Sequence, residues 1–226
     1  MAHPTLGFGQ NSPKPSCAKP LYLTFDTGHM DIAPLVAEVL NRQKVRVTFF
    51  AANERTRTLG VAFGGCTLPG ADAPLFTVPE GMMSVGLGIH GEPGQKRMKM
   101  IPADEITAMM AEEIIHDKAY SRTVRELVDG QWVDKDLVDE PFKRGDRVIA
   151  FVNSMGGTPV AELYAVYRKL AEVCAAEGIE IVRNLIGPYI TSLEMAGASL
   201  TVIRLDDELT ELYDAPVRTA GWRAGA

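Results

Sequence analysis

Apolar and polar positions change period in a regular order along this chain. "PLYLTF" (20–25) alternates and is rich in β-prone residues, then breaks at "DTGH". Ile32, Leu35, Val36, Val39 and Leu40 follow at helical spacing, which predicts an amphipathic helix over 31–43. "VRVTFFAA" (45–52) reads as a second strand. Strand, helix and strand in that order imply a parallel pair with the helix as crossover.

From residue 57 the pattern shortens. "TLGVAFGGCTLPG" predicts a short strand among glycines, and "APLFTVPEGMMSVGLGIHGEPG" further short strands separated by turns. "PADEITAMMAEEIIHD" places Pro102 and two acids in the first turn of a helix whose buried stripe is Ile106, Met109, Met110 and Ile114. "GDRVIAFVNSMGGTP" predicts a strand entering a glycine turn. The helix after it carries Val160, Leu163, Tyr164, Tyr167, Leu170 and Cys174 on one face and closes at Gly178. Strands over 179–187 and 200–205 enclose a turn or short helix at 191–199, and 206–216 predicts a last short helix. Strands alternating with helices define an α/β chain.

Composition narrows the function classes. The 226 residues carry a net charge of −6, which argues against nucleic acid or an anionic membrane surface as partner. No apolar run approaches the roughly 20 residues of a bilayer span. Residues 1–19 lack a secretory pattern and read as a flexible tail. Cys17, Cys66 and Cys174 share no metal-ligand spacing, so reduced thiols and a cytoplasmic location are expected.

The candidate chemistry centres on "GLGIHGEPG" (86–94), where His90 stands among glycines. On spacing alone it is either a turn histidine or a group presented to a small ligand. "NSMGGTP" (153–159) offers backbone amides to an anion, or a strand-to-helix turn capped by Thr158. "LDDE" (205–208) offers carboxylates to a metal, or acids to a helix N-terminus. His116 sits where its charge would favour a helix C-terminus. Glu194 is assigned no chemistry, and Tyr164 and Tyr167 are expected in a core or interface.

Two stretches carry family resemblances. "LYLTFDTGHMDIAPLVAEVLNRQKVRVTFFAANE", in residues 20–55, resembles the opening of the polysaccharide deacetylase family. Asp26 matches that family's catalytic-base aspartate, while Thr27 stands where many members have a metal-binding aspartate. His3, His29, His90 and His116 contain no i, i+4 pair to complete the site, so no metal is expected.

Residues 56–226 resemble the second half of the dihydroxyacetone kinase K subunit or K domain. The resemblance rests on "TRTLGVAFGGCTLPGADAPLFTVPEGMMSVGLGIHGEPG", "GDRVIAFVNSMGGTPVAELYAVYRKL" and "RNLIGPYITSLEMAGASLTVIRLDDELTELYDAP". It implies an α/β kinase domain of mixed strands and helices, preceded here by a small β-α-β unit. It further implies that His90 holds dihydroxyacetone covalently as a hemiaminal, with Gly88 and Gly91 lining the substrate loop.

The family's glycine-rich loop, second histidine and general-base aspartate belong to a first half that residues 1–55 do not match, so an incomplete or impaired site is expected. No nucleotide-binding loop is present, and the resemblance assigns the donor to an L-type partner subunit carrying ATP or ADP, or to phosphate derived from phosphoenolpyruvate. It also implies a homodimer. The competing readings are a non-catalytic, truncated or chimeric α/β domain and a metal-dependent deacetylase.

Overall fold

The computed structural model describes residues 23–26, 33–44, 47–50, 56–87, 94–128, 131–219 and 221–224. The chain divides between Asn53 and Glu54 into two units. In the first, β1 (Leu23–Asp26) and β2 (Val47–Phe50) pair in parallel, Leu23 opposite Val47 and Asp26 opposite Phe50. Helix α1 (Ala33–Gln43) connects them, giving the expected β-α-β unit. Its helical spacing does not translate into one buried stripe: Leu35 and Val39 are exposed, Val36 and Leu40 half-buried.

The second unit is built on a six-stranded sheet in the order β5-β4-β3-β10-β8-β9. Its strands are β3 (Thr56–Ala62), β4 (Met82–Val85), β5 (Lys96–Lys99), β8 (Arg147–Ser154), β9 (Glu180–Gly187) and β10 (Gly197–Arg204). All neighbours are antiparallel except β8 and β9, which helix α3 (Val160–Glu177) joins as a crossover.

Period-two alternation sorts the sheet's residues onto two faces. Val148, Ala150 and Val152 of β8, with Leu200 and Val202 of β10, are fully buried on one face, in the main core with α3 and helix α2 (Ala103–Ile115). The opposite face is mixed, with Ile149 and Phe151 of β8 beside polar residues. There the Thr58 and Thr201 hydroxyls lie 2.9 Å apart, and Asn153 Nδ2 donates to Ser199 Oγ at 3.3 Å.

The helices form where their sequences place them, with changed faces. In α2, Ile106, Met110 and Ile114 are buried as expected; Thr107, Ala111 and Ile115 join them, and Met109 is only partly covered. In α3, Leu163, Leu170 and Cys174 are buried and Gly178 caps the helix with φ 71°, but Val160 and Tyr164 face solvent. That outward side is turned away because α2 and the sheet already cover the Leu163–Leu170–Cys174 stripe.

Helix α4 (Asp207–Asp214) and the short strands β11 (Val217–Arg218) and β12 (Arg223–Ala224) end the described chain. The hairpin of β6 (Tyr120–Val128) and β7 (Gln131–Asp139) lies in a segment to which the sequence reading assigns no element. Asp129-Gly130 between two β-prone runs is the pair a two-residue hairpin turn favours, and is the signal that would have found it.

Candidate functional site

The segment "GLGIHGEPG" spans β4 and β5, whose register runs from Met82 opposite Lys99 to Val85 opposite Lys96. Its two ends are fixed. Gly86 N donates to Gly60 O at 2.8 Å, and Gln95 N to Val85 O at 2.7 Å. Gly86 has φ 82°, a conformation a side chain resists, and the Gln95 side chain lies where a Cβ on Gly86 would stand. At the other end a Cβ on Gly94 would run into Ser84 Oγ. The three residues expected to hold substrate, Gly88, His90 and Gly91, lie outside the described residues.

Leu87, at the start of this segment, is 5% exposed and belongs to a second apolar cluster with Ala62, Cys66, Met155 and Met195. Phe76 packs against it. These residues come from five separate stretches of chain: the end of β3, the loop after it, the loop after β4, the end of β8, and the "TSLEMAG" segment. Ala62 places the cluster on the sheet face opposite the helices, because it alternates with the main-core residue Val61.

The "TSLEMAG" segment forms a tight turn, Met195 N donating to Ser192 O at 3.0 Å. Leu193 within it has φ 51° and an exposed side chain. A leucine in the left-handed region costs about 1–2 kcal/mol, so the surroundings must hold it there. They do so from three sides. Ser192 N donates to Met155 O at 2.8 Å and Gly157 N to Met195 O at 2.9 Å. Gly156, φ 129°, takes the Leu193 carbonyl where any Cβ would clash. Thr67 N donates to Glu194 Oε1 at 2.6 Å, and Cys66 Sγ lies 3.4 Å from Ser192 Oγ. The Thr67 amide is the main reason the Glu194 carboxyl lies below its ordinary value.

Residues the sequence reading passed over do much of this positioning. Asn153, 1% exposed, satisfies its whole amide: Nδ2 donates to Ile190 O at 2.7 Å and to Ser199 Oγ, while Oδ1 accepts from Tyr189 N and Ile190 N at 3.0 and 2.8 Å. Ser154 Oγ donates to Thr158 O and accepts from Gly156 N. With Gly156 and Gly157 N–H both engaged, these amides offer no anion cradle.

Thr158 is not a helix cap. Pro159 occupies that place, and Thr158 Oγ1 instead exchanges hydrogen bonds with Gly197 N and O. "LDDE" is helix-terminal chemistry: Asp206 caps α4, accepting from Leu209 N at 2.8 Å.

His116 stands at the C-cap of α2, its Nε2 3.8 Å from Glu177 Oε1. Tyr167 OH accepts from Asn184 Nδ2 at 3.2 Å. Asp26 is placed at the end of β1, and His3 and His29 lie outside the described residues. Among the described residues no three His, Cys, Asp or Glu side chains converge as metal ligands, and no helix is long and apolar enough to cross a membrane. Burial pushes the Cys174 thiol up to about 11.

Against known proteins, the Dak1 domain family matches residues 36–221. The match opens inside α1 and takes in residues 36–55, so it gives no support to the deacetylase resemblance of that stretch. The chain is 43% identical to the dihydroxyacetone-binding subunit DhaK of the PEP-dependent dihydroxyacetone kinase of Escherichia coli, over 74% of this chain and 48% of that protein. It is also 43% identical to a D-erythrulose kinase of Mycolicibacterium smegmatis, over 78% of this chain and 27% of the other.

Among solved structures it resembles the C. freundii dihydroxyacetone kinase in complex with AMP-PNP and Mg2+. That likeness has a TM-score of 0.54 and 25% identity, and covers 84% of this chain and 29% of that one. The chain thus spans less than half the length of each of these three proteins. With the mixed sheet and most of the sequence matched together, this chain belongs to the Dak1 domain family.

Proposed function

We propose that the chain is the ketose-binding, K-type part of a dihydroxyacetone kinase, holding its substrate covalently on His90. The observation that carries this reading is the "GIHGEPG" motif, residues 88–94, in a Dak1 chain; before it Gly86 is fixed by Gly60 and Leu87 is buried in the second apolar cluster.

A lone pair on a neutral imidazole nitrogen attacks the ketose carbonyl carbon. The C=O π pair moves to oxygen, which gains a proton as the ring loses one from its other nitrogen. The hemiaminal is therefore a net addition without loss of water. Histidine suits this step because its ordinary pKa, about 6.5, leaves the ring largely neutral near pH 7. Covalency also selects: glycerol has no carbonyl and forms no adduct. So small a ligand offers little area for affinity, and a bond supplies what contacts cannot.

The ketose is a three- or four-carbon one, since the relatives equal in identity act by name on dihydroxyacetone and on D-erythrulose. The phosphoryl donor, ATP or ADP or phosphate derived from phosphoenolpyruvate, is brought by an L-type partner subunit in the cytoplasm. The K-type chain pairs as a homodimer. Ketose binding, which this reading places on His90, is the property to measure first.

Native mass spectrometry with dihydroxyacetone, erythrulose and glycerol tests the reading. The expected result is one added ketose per chain, none with glycerol, and none of either with His90→Ala. Equal adduct on the wild type and His90→Ala would refute it. Phosphate transfer with an L-type subunit and its donor is expected to be weak.

A further inference from the structure

We propose that the β6–β7 hairpin is a dimerisation arm, packing face to face and antiparallel on the same hairpin of a second copy of this chain. The inference rests on the homodimer in the function proposed above and names the surface that forms it. Of the hairpin side chains the structure describes, all are exposed except Asp139. Arg57 and Arg204 hold that aspartate, so the foot is fixed to β3 and β10 while the ribbon beyond it stands in water. A two-stranded ribbon of nine residues a side is at best marginally stable with both faces wet, and gains from a cover.

The residue pattern identifies the cover. Alternation and register put Tyr120, Val128, Val133 and Leu137 on one face. They are 55, 45, 47 and 37% exposed. Each stands opposite a polar residue: Tyr120 opposite Asp139, Leu137 opposite Arg122, Val133 opposite Glu126 and Val128 opposite Gln131. Val124 opposite Lys135 is the middle rung. The other face is polar along its middle, with Thr123, Arg125, Asp134 and Asp136.

A twofold pair sets this face against itself, with the axis either along the strands or across them. With the axis along the strands, β6 lies over the partner's β7 at the same rung. Leu137 then meets the partner's Arg122, Val133 the partner's Glu126 and Val128 the partner's Gln131, apolar against polar throughout. With the axis across the strands, each strand lies over its own copy, reversed about the middle rung. Leu137 then meets the partner's Val133, and Tyr120 the partner's Val128. Position 122 meets the partner's position 126, an arginine against a glutamate. Every rung is matched but the middle one, where Lys135 meets its copy. A surface that complements its own reverse fits a second copy of this chain.

The test is sedimentation velocity of the full chain over a concentration series at low salt, with Arg122→Glu, Glu126→Arg, the two together, and Val133→Asp. Ser121→Asp, on the other face, is the control. Each charge reversal alone should raise the dimer Kd about tenfold, since two ion pairs become two repulsions per dimer. The double variant restores both pairs and should return to near the wild-type value. That recovery also shows that neither substitution harms the fold. Val133→Asp sets a carboxylate against the partner's Leu137 and should weaken the dimer at least as much, with Ser121→Asp unchanged.

Single reversals and Val133→Asp that leave the dimer Kd unmoved would overturn the arm and give the homodimer to another surface. Weakened single variants with no recovery in the double would overturn the antiparallel arrangement. A wild type that stays monomeric across the series would overturn the homodimer and this inference together. The ketose adduct, read on the same samples, decides the K-type assignment separately.

Discussion

Arg57 and Asp139 form a buried ion pair across the second unit, with 7% and 8% of their side chains exposed. Arg57 Nη2 and Nε lie 3.0 and 3.2 Å from Asp139 Oδ2. Arg204 binds the other oxygen at 2.9 Å while stacking over the Phe142 ring. One carboxylate thus ties β3 and β10 to the foot of the β6–β7 hairpin. Removing it leaves two guanidinium groups short of a partner in a low-dielectric site, so Asp139→Asn should cost about 3 kcal/mol. Asp117 binds the same arginine from a 60% exposed position, and Asp117→Asn should cost less than about 1 kcal/mol. Urea unfolding of both variants checks the contrast, and equal losses would refute it.

Asn153→Ala should loosen one turn more than it weakens the whole fold. The deletion leaves the Ile190 amide and carbonyl without their Asn153 partners and the Tyr189 amide with only its 3.2 Å bond to Gly187 O, at about 1–3 kcal/mol for unpaired groups. Hydrogen exchange should accelerate at Tyr189 and Ile190, with little change at Leu200 and Val202 in the sheet. Uniform acceleration across both places would show a global rather than local role.

At the neck of the His90 segment, Gly86→Ala should cost about 1–2 kcal/mol, because φ 82° lies where a side chain is strained and Gln95 covers the site. Gly64→Ala is the matched control, since nothing stands within 4 Å of a Cβ there. The functional prediction is stronger than the stability one: ketose adduct should fall with Gly86→Ala and persist with Gly64→Ala. Native mass spectrometry and thermal unfolding on the same samples separate the two effects.

The β-α-β unit, helices α2 and α3 and strands β8, β9 and β10 were legible in the sequence because each carries its own period or cap. The faces were less so. Tyr164 and Val160 fit the apolar stripe of α3 but lie on the shoulder that α2 and the sheet leave uncovered, which is a matter of packing. The site was legible as motifs and not as geometry. Thr158 reads as a cap because it precedes a helix, yet its hydroxyl is taken by Gly197, a residue 39 positions away. Asn153 and Glu194 carried no local signal, since their partners Ile190 and Thr67 lie 37 and 127 positions off in sequence.

Acid should release the C-terminal helix before the sheet. Arg183 Nε and Nη2 grip Asp214 Oδ1 and Oδ2 at 2.7 and 2.6 Å, holding that carboxyl below its ordinary value of 3.8. A carboxyl depressed in the folded chain adds stability that is full above its unfolded value and is lost as pH falls through the folded one. Tyr213, next to Asp214, packs its ring 5.5 Å from Trp222, so that indole reports on the helix. In a Trp132→Phe background, Trp222 emission should hold steady from neutral pH down to about 4 and change below that. Arg183→Gln removes the grip and should move the change upward in pH, toward the ordinary aspartate range. An acid transition that stays put in Arg183→Gln would assign it to other carboxylates and refute the role given to this pair.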